Sequence, residues 1–226
     1  MENFDIVLVG AGSAGCIVAN QIINSTNYKV LLIEAGPSDN NLTIQVPLGY
    51  GMTFYHKKMN WNFYSEIQKN LHNREIYYPR GKVLGGSGSI NAMIYARGLR
   101  SDFENWNLSK NWSWENIKTT YDQIEFAVNN KTKRLPSNKI PVNDISKQHH
   151  PILKNFFDAS NDFNFTFNKQ LKSSIENQVG NYNVNIFKGF RTSSSKVFLK
   201  PIKNHPNLTI FTKTEVLKLN YKNKKI

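Results

Sequence analysis

Gly10, Gly12, Gly15 and Glu34 have the types and spacing to hold the phosphates and ribose of a dinucleotide. The stretch "GAGSAG" at 10–15 fits G-x-G-x-x-G. In that pattern Gly10 permits a tight turn, Gly12 lets backbone approach a pyrophosphate, and Gly15 lets a helix pack close on a strand. The helix start then turns unpaired N–H groups and a partial positive charge toward the anion. Glu34 follows about twenty residues on, where a carboxylate accepts hydrogen bonds from a ribose 2′-OH and repels a 2′-phosphate. The motif alone does not separate NAD from FAD.

A second glycine-rich stretch, "YYPRGKVLGGSGSINAMIYARG" at 77–98, bears on that choice. With NAD as ligand it would have no obvious work. FAD is longer, and its isoalloxazine ring has to be held along an edge, so an extended FAD runs from one glycine loop to another. Gly85, Gly86 and Gly88 offer close backbone approach, and Arg80 and Lys82 offer positive charge. Ser87, Ser89 and Asn91 can hydrogen-bond phosphate, ribityl hydroxyls or ring heteroatoms. The competing reading is a glycine-rich turn that holds nothing.

The elements around these residues suit the first loop. "FDIVLVG" (4–10) is a β-branched apolar run closed by glycine, the pattern of a buried parallel strand. "SAGCIVANQIIN" (13–24) carries Ile17, Val18, Ile22 and Ile23 at helical spacing. "YKVLLIEAG" (28–36) is a second buried strand, which completes a βαβ unit. From Pro37 to about Pro79 periodicity is weak, and so long a connection suggests a cover or lid. "SINAMIYARG" (89–98) reads as a helical turn leading into ordered chain. Residues 101–128 carry two helix starts, with Trp106, Trp112 and Trp114 expected as core anchors. Composition turns polar from Asn129 to His149, which marks a boundary. Beyond it come an amphipathic helix (151–163), a capped helix ending near Pro201 (190–202) and a strand or hairpin (207–219).

Composition narrows the function further. The 226 residues carry a formal net charge of +13, but Lys and Arg are scattered, with only short groups at 131–134 and 222–225. No groove-reading motif accompanies the charge, so nucleic acid is not expected as a partner. The lone cysteine, Cys16, reads as a core thiol. A signal peptide is not expected, because the segment before the apolar run carries Glu2 and Asp5 and no positive charge. No apolar run reaches the ~18 residues of a membrane span. The expectation is a cytoplasmic protein without a transmembrane segment.

These stretches together resemble the N-terminal part of the glucose–methanol–choline oxidoreductase family, in its choline- or alcohol-dehydrogenase-like branch. "GKVLGGSGSINAMIYARGLRSDFE" (81–104) fits that family's first signature, and "VGAGSAG" with "LLIEAG" fits its opening. "RSDFENW" (100–106), "WSWENI" (112–117), "GFRTSSSKVFLKP" (189–201) and "NLTIFTKTEVLKL" (207–219) match as well. Gly88 stands where serine is more usual. The resemblance implies an α/β fold. A Rossmann-like FAD-binding domain with a parallel sheet would take residues 1–128 and 189–226, and the beginning of an α+β substrate domain residues 129–188.

For the site, the resemblance implies pyrophosphate contact at Gly12, Ser13 and Ala14 and ribose contact at Glu34. Flavin or pyrophosphate contacts would run along Arg80, Gly81, Gly85, Gly86, Ser87, Asn91, Ala92 and Met93. The backbone of Val216, on the late strand, would meet adenine. Members that tether flavin covalently can place a histidine where Ile90 stands here, so FAD is expected without a covalent bond. The implied reaction oxidises a small alcohol, with hydride passing to flavin N5 and the hydroxyl proton to a base. In the family that base is a distal histidine beyond this chain's end, and no catalytic residue is assigned here. His149 and His150 are read as surface histidines. Two functions follow: the N-terminal part of an FAD-dependent alcohol oxidoreductase, or a non-catalytic FAD-binding module, or half enzyme, that needs a separate C-terminal chain. Taken alone, the chain is expected to leave apolar sheet surface facing water.

Overall fold

The computed structural model describes residues 3–106, 108–171 and 174–220, so the basic group at 222–225 lies outside the described residues. The chain packs as two compact units, residues 1–92 with 189–226, and residues 93–188. The sequence reading set its boundary at 128/129. In the structure residues 93–128 pack with the second unit instead.

The first unit opens on β1 (Ile6–Val9), α1 (Ser13–Ser25) and β2 (Val30–Ile33), the expected βαβ unit. β1 and β2 are parallel, with Ile6 opposite Val30 and Val9 opposite Ile33. The strand Leu208–Phe211 joins the far side of β2, also parallel, with Leu208 opposite Val30 and Phe211 opposite Ile33. β2 is therefore the central strand, which suits its run of four aliphatic residues.

Side chains alternate across a sheet with period two, and here the two faces differ. Val30, Leu32 and Leu208 are buried, and α1 supplies Cys16, Ala19 and Ile23 to the same core. Val7, Val9 and Phe211 are 47%, 56% and 46% exposed. The expectation of a buried β1 is therefore met only in part: Ile6 and Leu8 are half-buried on the core face, and Val7 and Val9 are exposed on the other. Asn20, fully buried on α1, donates through Nδ2 to the Phe198 carbonyl at 2.7 Å. That bond ties α1 to a π-helical turn, Ser195–Leu199, which runs into a 3₁₀ turn, Lys200–Ile202. The sequence suggested one capped helix over 190–202. Pro201 lacks an N–H, and the segment instead takes two short turns without a side-chain cap.

The long connection after β2 is only partly irregular. It holds short helices, Leu42–Gln45 and Tyr50–Thr53, and a ladder pairing Phe63–Tyr64 with Tyr77–Tyr78. Ile44 and Met59 from this connection cluster with Val83 and Ile90, so the second glycine stretch is packed against it.

The second unit carries a mixed sheet in the order Ile94–Tyr95, Asn183–Val184, Ile140–Asp144, Glu125–Ala127. Its first pairings are antiparallel and the last is parallel. Helices Arg100–Asn105, Trp114–Ile124 and Leu153–Ser160 accompany it. Trp106 and Trp112 are not core anchors: they are 52% and 45% exposed, with their rings tilted against each other and Trp106 edge-on to Phe103, while the half-buried Trp114 meets Phe103 as well. Among the described residues no helix is long and apolar enough to cross a membrane.

Candidate functional site

The two glycine stretches, some seventy residues apart in sequence, lie directly against each other. Gly85 N donates to the Ala11 carbonyl at 2.7 Å. A side chain at Gly86 would begin 2.8 Å from the Cα of Gly12, and one at Gly88 would begin 2.9 Å from Ser13 Oγ. Gly86 also has φ +58°, within a 3₁₀ turn, Gly86–Ser89, that falls three residues earlier than the turn expected from the sequence. Gly81 closes the same knot, because a Cβ there would sit 2.2 Å from the Gly86 carbonyl. Only glycine permits such approaches of backbone to backbone.

The first loop divides its glycines between two tasks. At Gly15 a Cβ would lie 2.0 Å from the Gly10 carbonyl oxygen, so this glycine serves the close packing of α1 on β1. At Gly12 a Cβ would meet nothing within 4 Å, and the backbone there has φ −70°. Gly12 is thus free of protein contact on the side where a ligand would approach. No side chain caps α1, whose first turn presents the exposed Ser13 and Ala14.

Glu34 is 6% exposed and holds the loop from below. Its Oε2 accepts from Ala11 N and its Oε1 from Gly36 N, each at 2.9 Å. A carboxylate has about four lone-pair positions, so capacity remains for a ribose hydroxyl.

A cavity of ≈ 300 Å³ opens between these parts, lined by Gly10, Gly12, Glu34, Gly81, Gly86 and Val216 among the expected residues. Val216 lies beyond the strand Leu208–Phe211, in chain without regular structure, and not on the strand as expected. That segment is pinned by Thr214 N donating to the Glu34 carbonyl (3.0 Å) and Lys213 N to that of Gly36 (2.8 Å).

The other expected residues stand off this wall. Ser87 is exposed, and its Oγ accepts from Gly81 N at 3.1 Å. Arg80 is exposed over the Tyr78 ring and donates to Pro79 O. Asn91 and Ala92 are exposed after the turn, whereas Met93 is buried, with φ +61°, and belongs to the second unit.

Sequence reasoning missed Trp61 and Glu215, which also line the cavity. Lys82 Nζ sits 4.1 Å from the Trp61 ring centroid and 3.4 Å from Glu215 Oε2. Its charge is therefore partnered within the protein and is not a bare anion hook. No spacing rule links these three residues; the fold alone brings them together.

Elsewhere, Cys16 is fully buried with its thiol donating to the Ala11 carbonyl, and burial pushes its pKa up to about 12. A larger cavity of ≈ 740 Å³ lies in the second unit beside Arg97. There Glu125 accepts from Arg97 and from the Tyr95 hydroxyl, the latter at 2.6 Å, and desolvation followed by that bond raises the Tyr95 pKa. Ion pairs of this kind brace a fold, and none of the glycines of the two loops lines this cavity. His149 and His150 line a third cavity in the second unit, and among the described residues no group could hold a metal.

Comparison with known proteins gives the family and the fold. A family profile described as GMC oxidoreductase matches residues 4–226. Alcohol dehydrogenase [acceptor] from Pseudomonas putida is 34% identical over 98% of this chain and 41% of its own length. Oxygen-dependent choline dehydrogenase from Vibrio vulnificus is 29% identical over 92% of this chain and 38% of its own. Among solved structures, pyridoxine 4-oxidase from Mesorbium loti superposes with a TM-score of 0.83 at 27% identity, covering 93% of this chain and 42% of that one. The chain spans about two fifths of the length of the curated relatives it matches.

Proposed function

The chain belongs to the GMC oxidoreductase family, and from that premise we propose that its first unit is the FAD-holding part of a flavin-dependent oxidoreductase acting on the CH–OH group of an alcohol. The observation that carries this reading is the docking of two glycine loops around one cavity floored by Glu34. The residues fit the cofactor in kind. Gly12 leaves room for a phosphate, the first turn of α1 offers uncapped N–H groups from Ser13 and Ala14, and Glu34 offers an acceptor to a ribose hydroxyl. The backbone of Val216 takes the adenine side. Arg80, Gly81, Gly85, Gly86, Ser87, Asn91 and Ala92 form the flavin side. Ile90, buried in an apolar cluster, offers no atom for a covalent bond to flavin. When bound, FAD supplies the hydride acceptor that no side chain can provide.

The proton acceptor for the alcohol comes, on this reading, from a further polypeptide segment, in the same chain or in a separate C-terminal half. Two observations support that. No histidine lines the cavity among the described residues, and the face of the sheet bearing Val7, Val9 and Phe211 is uncovered. A cavity wall without histidine among the described residues suits equally a second reading, a module that binds FAD without catalysing turnover.

The test is to mix the purified chain with FAD, pass it through gel filtration and record the visible spectrum. A structured flavin band eluting with the protein supports the cofactor site, and a colourless protein refutes it. Anaerobic addition of alcohols, with and without a candidate C-terminal half, then separates the readings. Bleaching only with the half present identifies a half enzyme, and no bleaching in either case identifies a binding module.

A further inference from the structure

Arg191 is the largest fully buried side chain among the described residues, at 2% exposure. Arginine is almost never so deeply buried unless it is paired with an acid. Among the described residues all its hydrogen bonds go to neutral oxygens. Nε donates to Ile44 O at 2.8 Å, one terminal nitrogen to Gly88 O (3.2 Å) and Asn91 Oδ1 (2.7 Å), and the other to Asn91 O (2.7 Å). These bonds engage all three nitrogens, with four of the five N–H groups, but leave the charge without a counter-ion. Burial alone pushes the guanidinium pKa down to about 10, the direction expected where no carboxylate stands near.

Its position is informative. Gly88 lies within the second glycine loop and Asn91 just after it, and the same loop presents Gly86 to Gly12 and Gly88 to Ser13 of the first loop. The buried guanidinium thus bonds the same loop residue, Gly88, that packs against Ser13 of the first loop. We propose that Arg191 is a positioning residue of the cofactor site: its fork holds Gly88 and Asn91 in their binding shape, and its unpaired charge takes the pyrophosphate of the bound dinucleotide as its counter-ion. This rests on the reading that FAD binds across the two loops. It differs from the surface arrangement of Arg80 and Lys82, because charge held in a low-dielectric interior is poorly screened.

The experiment compares ADP with adenosine as displacers of FAD from the full 226-residue chain, in the unsubstituted protein and in Arg191→Gln and Arg191→Lys. ADP carries the pyrophosphate and adenosine does not. If the unsubstituted chain binds neither FAD nor ADP, the FAD reading itself fails, and the role of Arg191 falls with it. If it binds both, Arg191→Gln is expected to weaken ADP by on the order of tenfold or more while adenosine changes less than about twofold, and Arg191→Lys to recover part of the loss. Equal weakening of both ligands, or of neither, overturns the proposal, since a purely structural arginine would not distinguish them. Should both variants fail to fold, the unsubstituted chain still decides. Between about 0.05 and 0.5 M salt the ADP-to-adenosine affinity ratio should fall by less than about threefold if a buried charge sets it, whereas collapse of the ratio assigns it to exposed lysines and overturns the proposal.

Discussion

Gly12 and Gly15 are three residues apart in one motif, yet the structure gives alanine at each position an opposite outcome. At Gly12 the backbone has φ −70°, ordinary for any L-residue, and a Cβ would meet no protein atom within 4 Å. Gly12→Ala should therefore leave the fold untouched, with the melting temperature within about 2 °C of the unsubstituted chain or slightly higher. The new methyl group would, however, project from a wall of the cavity, where it would hold a phosphate away from the uncapped start of α1. Loss of one charged hydrogen bond there costs about 1.5–3 kcal/mol, so FAD affinity should drop roughly tenfold to a hundredfold. At Gly15 a Cβ would begin 2.0 Å from the Gly10 carbonyl oxygen, whereas ordinary contact starts at 3.4 Å. Gly15→Ala must push α1 off β1, an overpacking that costs about 1–3 kcal/mol or more, so melting temperature and binding should fall together. Circular-dichroism melts paired with flavin-fluorescence titrations read both quantities. If Gly12→Ala melts as early as Gly15→Ala, or binds FAD like the unsubstituted chain, the division of tasks between the glycines is wrong.

Three further outcomes are expected. Cys16, with its pKa pushed up to about 12, should not react with a thiol reagent at pH 8 until the chain unfolds; and because the unfolded thiol ionises first, stability should fall as pH rises from about 9 toward 12, a slope that Cys16→Ala makes shallower in a pH series of denaturant melts, with the part due to Tyr95 remaining. Glu125→Gln should destabilise the second unit by about 1–3 kcal/mol, read by urea unfolding, because the carboxylate accepts from both Arg97 and Tyr95 and is only 13% exposed. Replacing Val7 and Val9 together by Thr should raise the soluble fraction on expression while moving the melting temperature little, since both lie on the uncovered face of the sheet; unchanged solubility would mean that this face does not drive association.

The opening of the fold was legible because each local signal agreed with its neighbours. A β-branched run, a glycine motif, a helical apolar period and a second aliphatic run place β1, α1 and β2 within a few residues of where they lie. Whether the second face of the sheet is covered was not legible, because an apolar run reads the same with one layer over it or two. The boundary at 92/93 was hidden as well, since the "GSINAMIYARG" run crosses it without any change in composition. Within the site, the glycine residues were identifiable from spacing alone. The docking of Gly86 on Gly12, the double acceptance by Glu34 and the entry of Trp61 and Glu215 into the cavity wall all arise from tertiary packing, which no local pattern encodes. Arg191 was the least legible. Set among Thr192 and three serines it looks like surface chain, yet it is buried to the last few per cent.

The central claim is that two glycine loops make one site for a whole dinucleotide, with the adenine side at Val216 and Glu34 and the flavin side along 80–92. The measurement that tests it most directly is a calorimetric titration of the purified chain with FAD, FMN and ADP in parallel. The account predicts that FAD binds more tightly than either half, with ADP retaining measurable affinity through the cavity at Gly12 and Glu34. FMN binding as tightly as FAD, or FAD binding no better than ADP, would contradict it.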